Sequence, residues 1–342
     1  MFEIPDERVV GFSASYSLCR SPQLSLPGPV EKKMSETFWT IRNYQASDFE
    51  NYARLHIETE KVDPTGRYVS KQLLAEALGH PSFHPRNDLF LAQDGQNLIG
   101  FVSVFLEPGI GRALLDGLVH PGFRRKGVAT DLFEHAVSHA KAAGIGVVQI
   151  SLPETNLAAK RMLSGLGLKL FRHFIGYKLD ISNLKMPEIS PGRYTFRNLQ
   201  PGEEEQLTDI QNRSFADTWG FNPNTPAEIT YRINSSTCRP ENVIMVYLEA
   251  RPVAYCWTRI HRTGNSARGE KKGEIHMLGV DPGFRQQALG SKVLTAGLGY
   301  LKQKGVGTVE LMADAEMPAA LALYDSAGFE KYLRVDWYEK KL

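Results

Sequence analysis

Little in this chain suits life outside the cell or within a bilayer. Its 342 residues hold three cysteines, Cys19, Cys238 and Cys256, with no CxxC pair and no even framework. A disulfide scaffold is excluded, and the thiols read as reduced, as in a cytoplasmic protein. No run of about 18 apolar residues is present to cross a membrane. An excess of one charge is missing too: 40 Lys and Arg face 38 Asp and Glu, for a net charge of +2. That balance supplies neither a basic field for nucleic acid nor an acidic tail. Residues 1–34 lack the basic start and apolar core of a signal peptide. Rich in Pro and Ser and without periodicity, they are expected to form a disordered leader. Glu134, His135 and His139 offer a pair at ligand spacing but no third ligand, so no metal is expected.

What is present is a repeat. The length suggests about two domains, and 42% apolar residues suffice for ordinary cores. Sliding Val119 onto Val280 lays "HPGFRRKGVATDLF" from His120 over "DPGFRQQALGSKVL" from Asp281. Without a gap the same register pairs Gly144 with Gly305, Gly146 with Gly307 and Gly167 with Gly328. The openings agree as well: "WTIRNYQASDFE" from Trp39 echoes "YTFRNLQPGEEE" from Tyr194. A period this long is a domain duplication, not a solenoid.

Each copy reads as α/β. A strand, two helices and a hairpin lead to a strand that ends in Pro-Gly-Phe, then a helix, a strand, a helix and closing strands. The first helix is expected to start at a Ser47 cap, and the first hairpin to turn at Asp94-Gly95. The Pro- and Gly-containing stretch "ISNLKMPEISPG" from Ile181 reads as a connection. The expected division is a leader 1–34, an N-terminal domain 35–181, a linker 182–192 and a C-terminal domain 193–342. The polar run "HRTGNSARGEKKG" from His261 reads as a solvated hairpin tip.

The shared turn carries chemistry. A strand passes through a tight turn into a helix whose first N–H groups are unpaired and positive. A small residue there lets a phosphate approach the backbone, and Arg124, Arg125 and Lys126 add charge on the same rim. The pattern is neither GxxxxGK(S/T) nor GxGxxG, so nucleotide hydrolysis and dinucleotide binding are not expected. Ala288 stands where the first copy has Gly127. If φ is negative there, as in a first helical turn, the alanine costs the backbone little.

These motifs resemble those of the GNAT N-acetyltransferase superfamily, whose acetyl-CoA signature is Gln/Arg-x-x-Gly-x-Gly/Ala between a strand and a helix. The first copy matches fully, with Arg124, Arg125, Lys126, Gly127, Val128 and Ala129. The second has Arg285, Gln286, Gln287, Ala288, Leu289 and Gly290, with Ala in place of Gly. The later family pattern Asn-x-x-Ala-x-x-x-Tyr-x-x-x-Gly-Phe survives as Asn156, Ala159, Leu163, Gly167 and Leu168 in the first copy. In the second it survives as Met317, Ala320, Tyr324, Gly328 and Phe329. The layout is similar to two-module members of the mycothiol synthase kind.

The resemblance implies two tandem GNAT-fold domains, each a mixed, mostly antiparallel sheet flanked by helices, and acetyl-CoA as the acetyl donor. It assigns the coenzyme to Leu278, Gly279, Val280, the run from Arg285 to Gly290, and Ser291. In the first copy it assigns it to Leu118, Val119, the run from Arg124 to Ala129, Thr130 and Asn156. It implies Glu274 as base, a backbone N–H near Met277 or Leu278 as oxyanion donor, and Tyr324 as the acid for the departing thiolate. The first copy has Ala113 and Leu163 at the last two side-chain positions. The expectation is therefore a catalytic C-terminal domain acetylating a primary amine of a small molecule, in a monomer or homodimer. Trp219 and Phe221, with Asp217 and His276, are expected to line the acceptor pocket. Two alternatives stay open: a non-enzymatic acyl-CoA-binding or sensing protein using the N-terminal cradle, and catalysis in the first copy through Asp116.

Overall fold

A computed structural model describes residues 39–63, 69–263 and 270–342. The leader lies outside the described residues. The first half comprises β1 (Thr40–Asn43), α1 (Phe49–Val62), α2 (Lys71–Leu78), α3 (Pro85–Asp88), β2 (Leu89–Asp94) and β3 (Asn97–Glu107). It continues with β4 (Arg112–Val119), α4 (Val128–Ala142), β5 (Val147–Pro153), α5 (Leu157–Gly165) and β6 (Lys169–Asp180). The second half repeats the order. It runs through β7 (Tyr194–Asn198), α6 (Glu204–Phe215), α7 (Pro226–Ile233), β8 (Val243–Leu248), β9 (Arg251–Thr263) and β10 (Glu270–Val280). It closes with α8 (Leu289–Gln303), β11 (Thr308–Asp314), α9 (Pro318–Ser326) and β12 (Glu330–Lys341).

Local chemistry accounts for most of these starts and stops. The hairpin between β2 and β3 does turn at Gly95, whose φ is +57°. The first helix is not capped by Ser47. The Asp48 carboxylate accepts from the Gln45 N–H at 2.8 Å and from both terminal nitrogens of Arg42 at 2.7 Å. A charged acceptor with two strong donors outcompetes a neighbouring hydroxyl. The second half repeats this device, with Glu203 held by Arg197 at 2.7 Å and by the Gln200 N–H at 2.9 Å. Asn156 caps α5, its side-chain oxygen accepting from the Ala159 N–H at 3.1 Å.

Among the described residues twelve strands form one sheet, ordered β1-β2-β3-β4-β5-β12-β6-β11-β10-β9-β8-β7. Of these pairs only β4·β5 and β10·β11 are parallel, each joined by a crossover helix. Each half thus forms a mixed, mostly antiparallel sheet flanked by helices. At the centre the halves trade their last strands. β6 leaves the first half to pair with β11, Tyr177 opposite Leu311. β12 crosses back to pair with β5, Trp337 opposite Ser151. Between them β6 and β12 pair antiparallel, Phe174 opposite Val335. The closing strands expected within each copy are therefore one strand per copy, each lent to the other.

The cores follow the exchange. Tyr177, Leu179 and Ile181 are buried with the second half's strands and with α8 and α9. Tyr338 is buried in the first half's core. Each large apolar side chain so buried contributes about 1.5–3 kcal/mol, so neither core is complete without the other half's strand. Side chains also join the helices across the seam. The Tyr231 hydroxyl donates to the Glu76 carbonyl at 2.5 Å, and the Ser82 hydroxyl to Glu228 at 2.5 Å.

Candidate active site

Each parallel pair holds together only briefly. β4 and β5 pair from Arg112 opposite Val147 to Leu115 opposite Ile150, then part. β10 and β11 pair from Lys272 opposite Thr308 to Glu274 opposite Glu310, then part. Beyond the parting, β4 and β10 run on into the Pro-Gly-Phe turns, each paired on one side only, with β3 and β9. A wedge between two strands, backed by a helix start, results in both halves.

Leu118, Val119, Leu278, Gly279 and Val280 form the strand ends whose second side no longer pairs. In the first turn, His120 Nδ1 accepts from the Gly122 N–H at 3.2 Å. In the second, Asp281 accepts from the Gly283 N–H at 3.1 Å, Arg213 at 3.0 Å and Arg251 at 2.9 Å. Burial would raise the Asp281 carboxyl, but these donors outweigh it and hold it below the ordinary carboxylate range.

The loops that follow share an unusual backbone. Arg125 and Gly127 have φ of +63° and +102°, and Gln286 and Ala288 have φ of +61° and +56°. Left-handed residues at alternate positions can turn N–H groups toward one concavity, which suits an anion. The reading of Ala288 as a residue of negative φ is corrected. The alanine occupies the left-handed region, at a cost of roughly 1 kcal/mol. The cradle nonetheless keeps its shape, because the second loop follows the first at both special positions. Val128, Ala129 and Thr130, like Leu289, Gly290 and Ser291, form the first helical turns behind it. A Cβ built on Gly290 would meet nothing closer than 3.6 Å, so that position is roomy. The residues present fit a diphosphate in both halves.

The leading arginines hold the rim. Arg124 donates to Asp63 at 2.6 Å and to the Val119 carbonyl at 3.1 Å. Arg285 donates to Asp217 at 2.6 Å and to the Ser214 carbonyl at 3.1 Å. Asp217 is therefore engaged by the cradle arginine, a role different from the one expected of it at an amine. Gln287 Oε1 accepts from the Tyr194 hydroxyl at 2.8 Å, and Lys126 lies over the Phe123 ring at 4.8 Å.

Glu274 stands on the last paired rung of β10, only 8% exposed. His261 Nε2 lies 2.7 Å from its Oε2, and His276 Nδ1 lies 3.7 Å from its Oε1. A bulge between Ile275 and Met277 keeps His276 on the Glu274 face, where its ring meets Trp257 edge-on at 5.0 Å. Burial would raise the Glu274 carboxyl. The imidazoles of His261 and His276 and the charge of Arg259 overcome it and hold the carboxylate well below its ordinary range. Burial together with the Arg259 charge drives the His276 imidazole down to about 3, against the pull of Glu274.

Tyr324 projects from α9 into the second core, 2% exposed, against Tyr177 of β6 at 5.7 Å and Phe329 at 5.8 Å. Burial and the neighbouring Cys256 and Tyr177 push its phenol well above the ordinary value, so the proton stays on it. Phe221 packs on the second half's core. Trp219, expected to line the acceptor pocket, is held among aromatic rings and arginines. Its ring packs on Phe171 at 5.4 Å and Trp337 at 6.3 Å, with Arg112 and Arg172 over it at 5.4 and 4.6 Å. That is the seam between the halves, where Arg112 also donates to the Gly220 carbonyl at 3.2 Å.

Sequence reasoning missed His261 and Arg259. His261 was placed in a hairpin tip, yet β9 extends through Thr263 and β10 begins at Glu270. The available signal was the spacing of Arg259 and His261, two apart like Glu274 and His276, which puts each pair on one sheet face. His135 and His139 are engaged on α4, at the Asp131 carbonyl (2.9 Å) and Asp88 (2.8 Å). Among the described residues no group of three ligands could hold a metal, and no helix is long and apolar enough to cross a membrane.

A parted β4·β5-type pair with an amide cradle beyond it, present twice, defines a tandem acetyltransferase fold. The Acetyltransferase (GNAT) family matches the chain over residues 44–168 and again over 205–329, and the chain belongs to that family. Among similar proteins is a mycothiol acetyltransferase from Thermobispora bispora, 30% identical over 263 residues, 76% of this chain and 85% of that protein. Another, from Mycolicibacterium smegmatis, is 25% identical over 309 residues, 87% of this chain and 97% of that protein. The fold is shared with a GCN5-related N-acetyltransferase from Sphaerobacter thermophilus (TM-score 0.68, 19% identity, 90% of this chain and 96% of that one). It is also shared with a tandem GNAT protein from the clavulanic acid biosynthesis pathway (TM-score 0.65, 17% identity, 89% and 98%). The chain is an acetyl-CoA-dependent N-acetyltransferase of the GNAT type.

Proposed function

We propose that the second half performs the transfer, onto a primary amine of a small molecule, and that the first half is structural or holds coenzyme without catalysis. The observation that carries this is the content of the two wedges. Glu274 stands on the last rung that β10 shares with β11, and Tyr324 on the helix after β11, whereas the repeat register gives Ala113 and Leu163 at those positions in the first half. The names of the relatives point to an acceptor of the mycothiol type.

An alkyl ammonium has a pKa of about 10.4 and must lose a proton before it can attack. Glu274, kept ionised, takes that proton, directly or through one water. A backbone N–H at Met277 or Leu278, on the length of β10 that has parted from β11, faces the carbonyl oxygen as charge develops. The phenol of Tyr324 protonates the departing thiolate, and its burial keeps the proton available. The amides of the loop from Arg285 to Ser291 hold the diphosphate. When bound, acetyl-CoA supplies the activated acetyl group.

The test is release of free CoA thiol from acetyl-CoA with a panel of small primary amines, including one of the mycothiol type. Glu274→Gln is expected to lower kcat by about 10²–10⁴-fold and to leave acetyl-CoA affinity unchanged. Wild-type rates in that variant would refute the assignment.

A further inference from the structure

Glu274 can accept a proton only while it is ionised, and its burial opposes ionisation. The carboxylate sits behind a strand rung with little access to water, where a lone carboxyl takes up its proton and loses its use as a base. Its ionised state therefore depends on donors aimed at it. One is closer than the rest: His261 Nε2, at 2.7 Å from Oε2, on a ring only 7% exposed. An ionised carboxylate can only accept, so Nε2 carries the hydrogen and donates it. Oε1 is left on the His276 side, toward the parting of the strands.

Resting on the reading of Glu274 as base, we propose that His261 is a positioning residue of the acetyl-transfer site. Its Nε2–H fixes Oε2, keeps the carboxylate ionised and leaves Oε1 to receive the proton. In the step itself the proton leaves the acceptor's ammonium for Oε1, and the nitrogen lone pair is freed to attack. Nothing is oxidised or reduced.

The neighbours do not replace His261. On β9 Arg259, the cross-strand partner of Glu274, adds a positive charge, and burial brings its guanidinium down to about 10. On β10 His276 is held neutral near neutral pH. Lys272 is engaged with Glu310 of β11 at 2.5 Å, and burial raises that second carboxyl. On α7 Arg232 acts on His276, and burial pushes the Cys238 thiol after that helix up to about 12. Without the imidazole, burial is opposed only by the His276 side chain and the Arg259 charge, and the Glu274 carboxyl rises.

The experiment pairs a spectroscopic readout with a kinetic one on the full chain. In His261→Phe, infrared difference spectra recorded as the pH is lowered from neutral are expected to show the C=O stretch of a protonated carboxyl at a pH where the wild type shows none. The band is expected to be absent from the wild type and from His261→Phe combined with Glu274→Gln. With acetyl-CoA and the amine panel, the acid limb of kcat is expected to move up by about one pH unit or more. That shift corresponds to roughly a tenfold loss on the acid side, with the KM for acetyl-CoA unchanged. His261→Gln, which keeps an N–H donor and guards against a fold defect, is expected to recover part of the rate. A folded His261→Phe with no such band, or with an unmoved acid limb, overturns the proposal. Full activity in Glu274→Gln would instead remove the base assignment, a result separate from the band.

Discussion

On the paired rungs before each parting, the first half presents Ala113 and the second presents Glu274. On the helix behind, the first half has Leu163 and the second Tyr324. Around them the backbones agree, down to two left-handed residues in each loop and an arginine tied to an acid of the first-helix loop. On the proposed reading, the diphosphate cradle is a property of the shared backbone, while proton transfer is a property of side chains that one half has and the other lacks. The two halves are nevertheless not independent, because each closes the other's sheet. Tyr177, which walls in the Tyr324 phenol, is supplied by the first half.

The largest expected effect comes from separating what the sheet joins. Residues 1–192 expressed alone lack β12, and 193–342 alone lack β6. Each is expected to give no cooperative urea transition by circular dichroism, and co-expression of the two is expected to restore one. Independent folding of either piece would contradict the exchange.

The next effect separates the wedges chemically. Glu274→Gln is expected to abolish nearly all transfer, as above, while Asp116→Asn in the first wedge stays within about twofold of wild type, measured by thiol release. Loss of activity in the Asp116 variant would move catalysis to the first half. Tyr324→Phe keeps the packing but removes the acid. It is expected to lower kcat by about 10–10²-fold with little change in melting temperature.

The smallest effects probe the one backbone position where the loops differ. Gly127→Ala places a Cβ at φ +102° and is expected to cost about 1–2 kcal/mol. The converse Ala288→Gly relieves a residue at φ +56° and is expected to stabilise by up to about 1 kcal/mol. Urea midpoints at constant slope would check both, and calorimetric titration with acetyl-CoA would show whether the glycine also tightens the second cradle.

The duplication and the cradle were legible because glycines and Pro-Gly-Phe turns fall at fixed register, and turn chemistry is local. Glu274 and Tyr324 stood out because the first copy lacks them. The strand exchange was not legible. Alternation along "LKLFRHFIGYKLD" specifies two faces, and it reads the same whichever strand lies alongside. Ala288 misled because an alanine at a helix entrance ordinarily has negative φ, and the strain is visible only in the folded backbone. The seam contacts of Trp219 were not legible either, because an aromatic in a Gly-Pro loop reads the same whatever surface it meets. His261 was hidden by the polar residues after it, which made a strand end look like a tip.

The most direct measurement is a crystal structure of the full chain with acetyl-CoA. The account predicts diphosphate density on the amides after Arg285, and the thioester in the β10·β11 parting between Glu274 and the Tyr324 hydroxyl. A thioester found only between β4 and β5, or remote from both of those side chains, would contradict it.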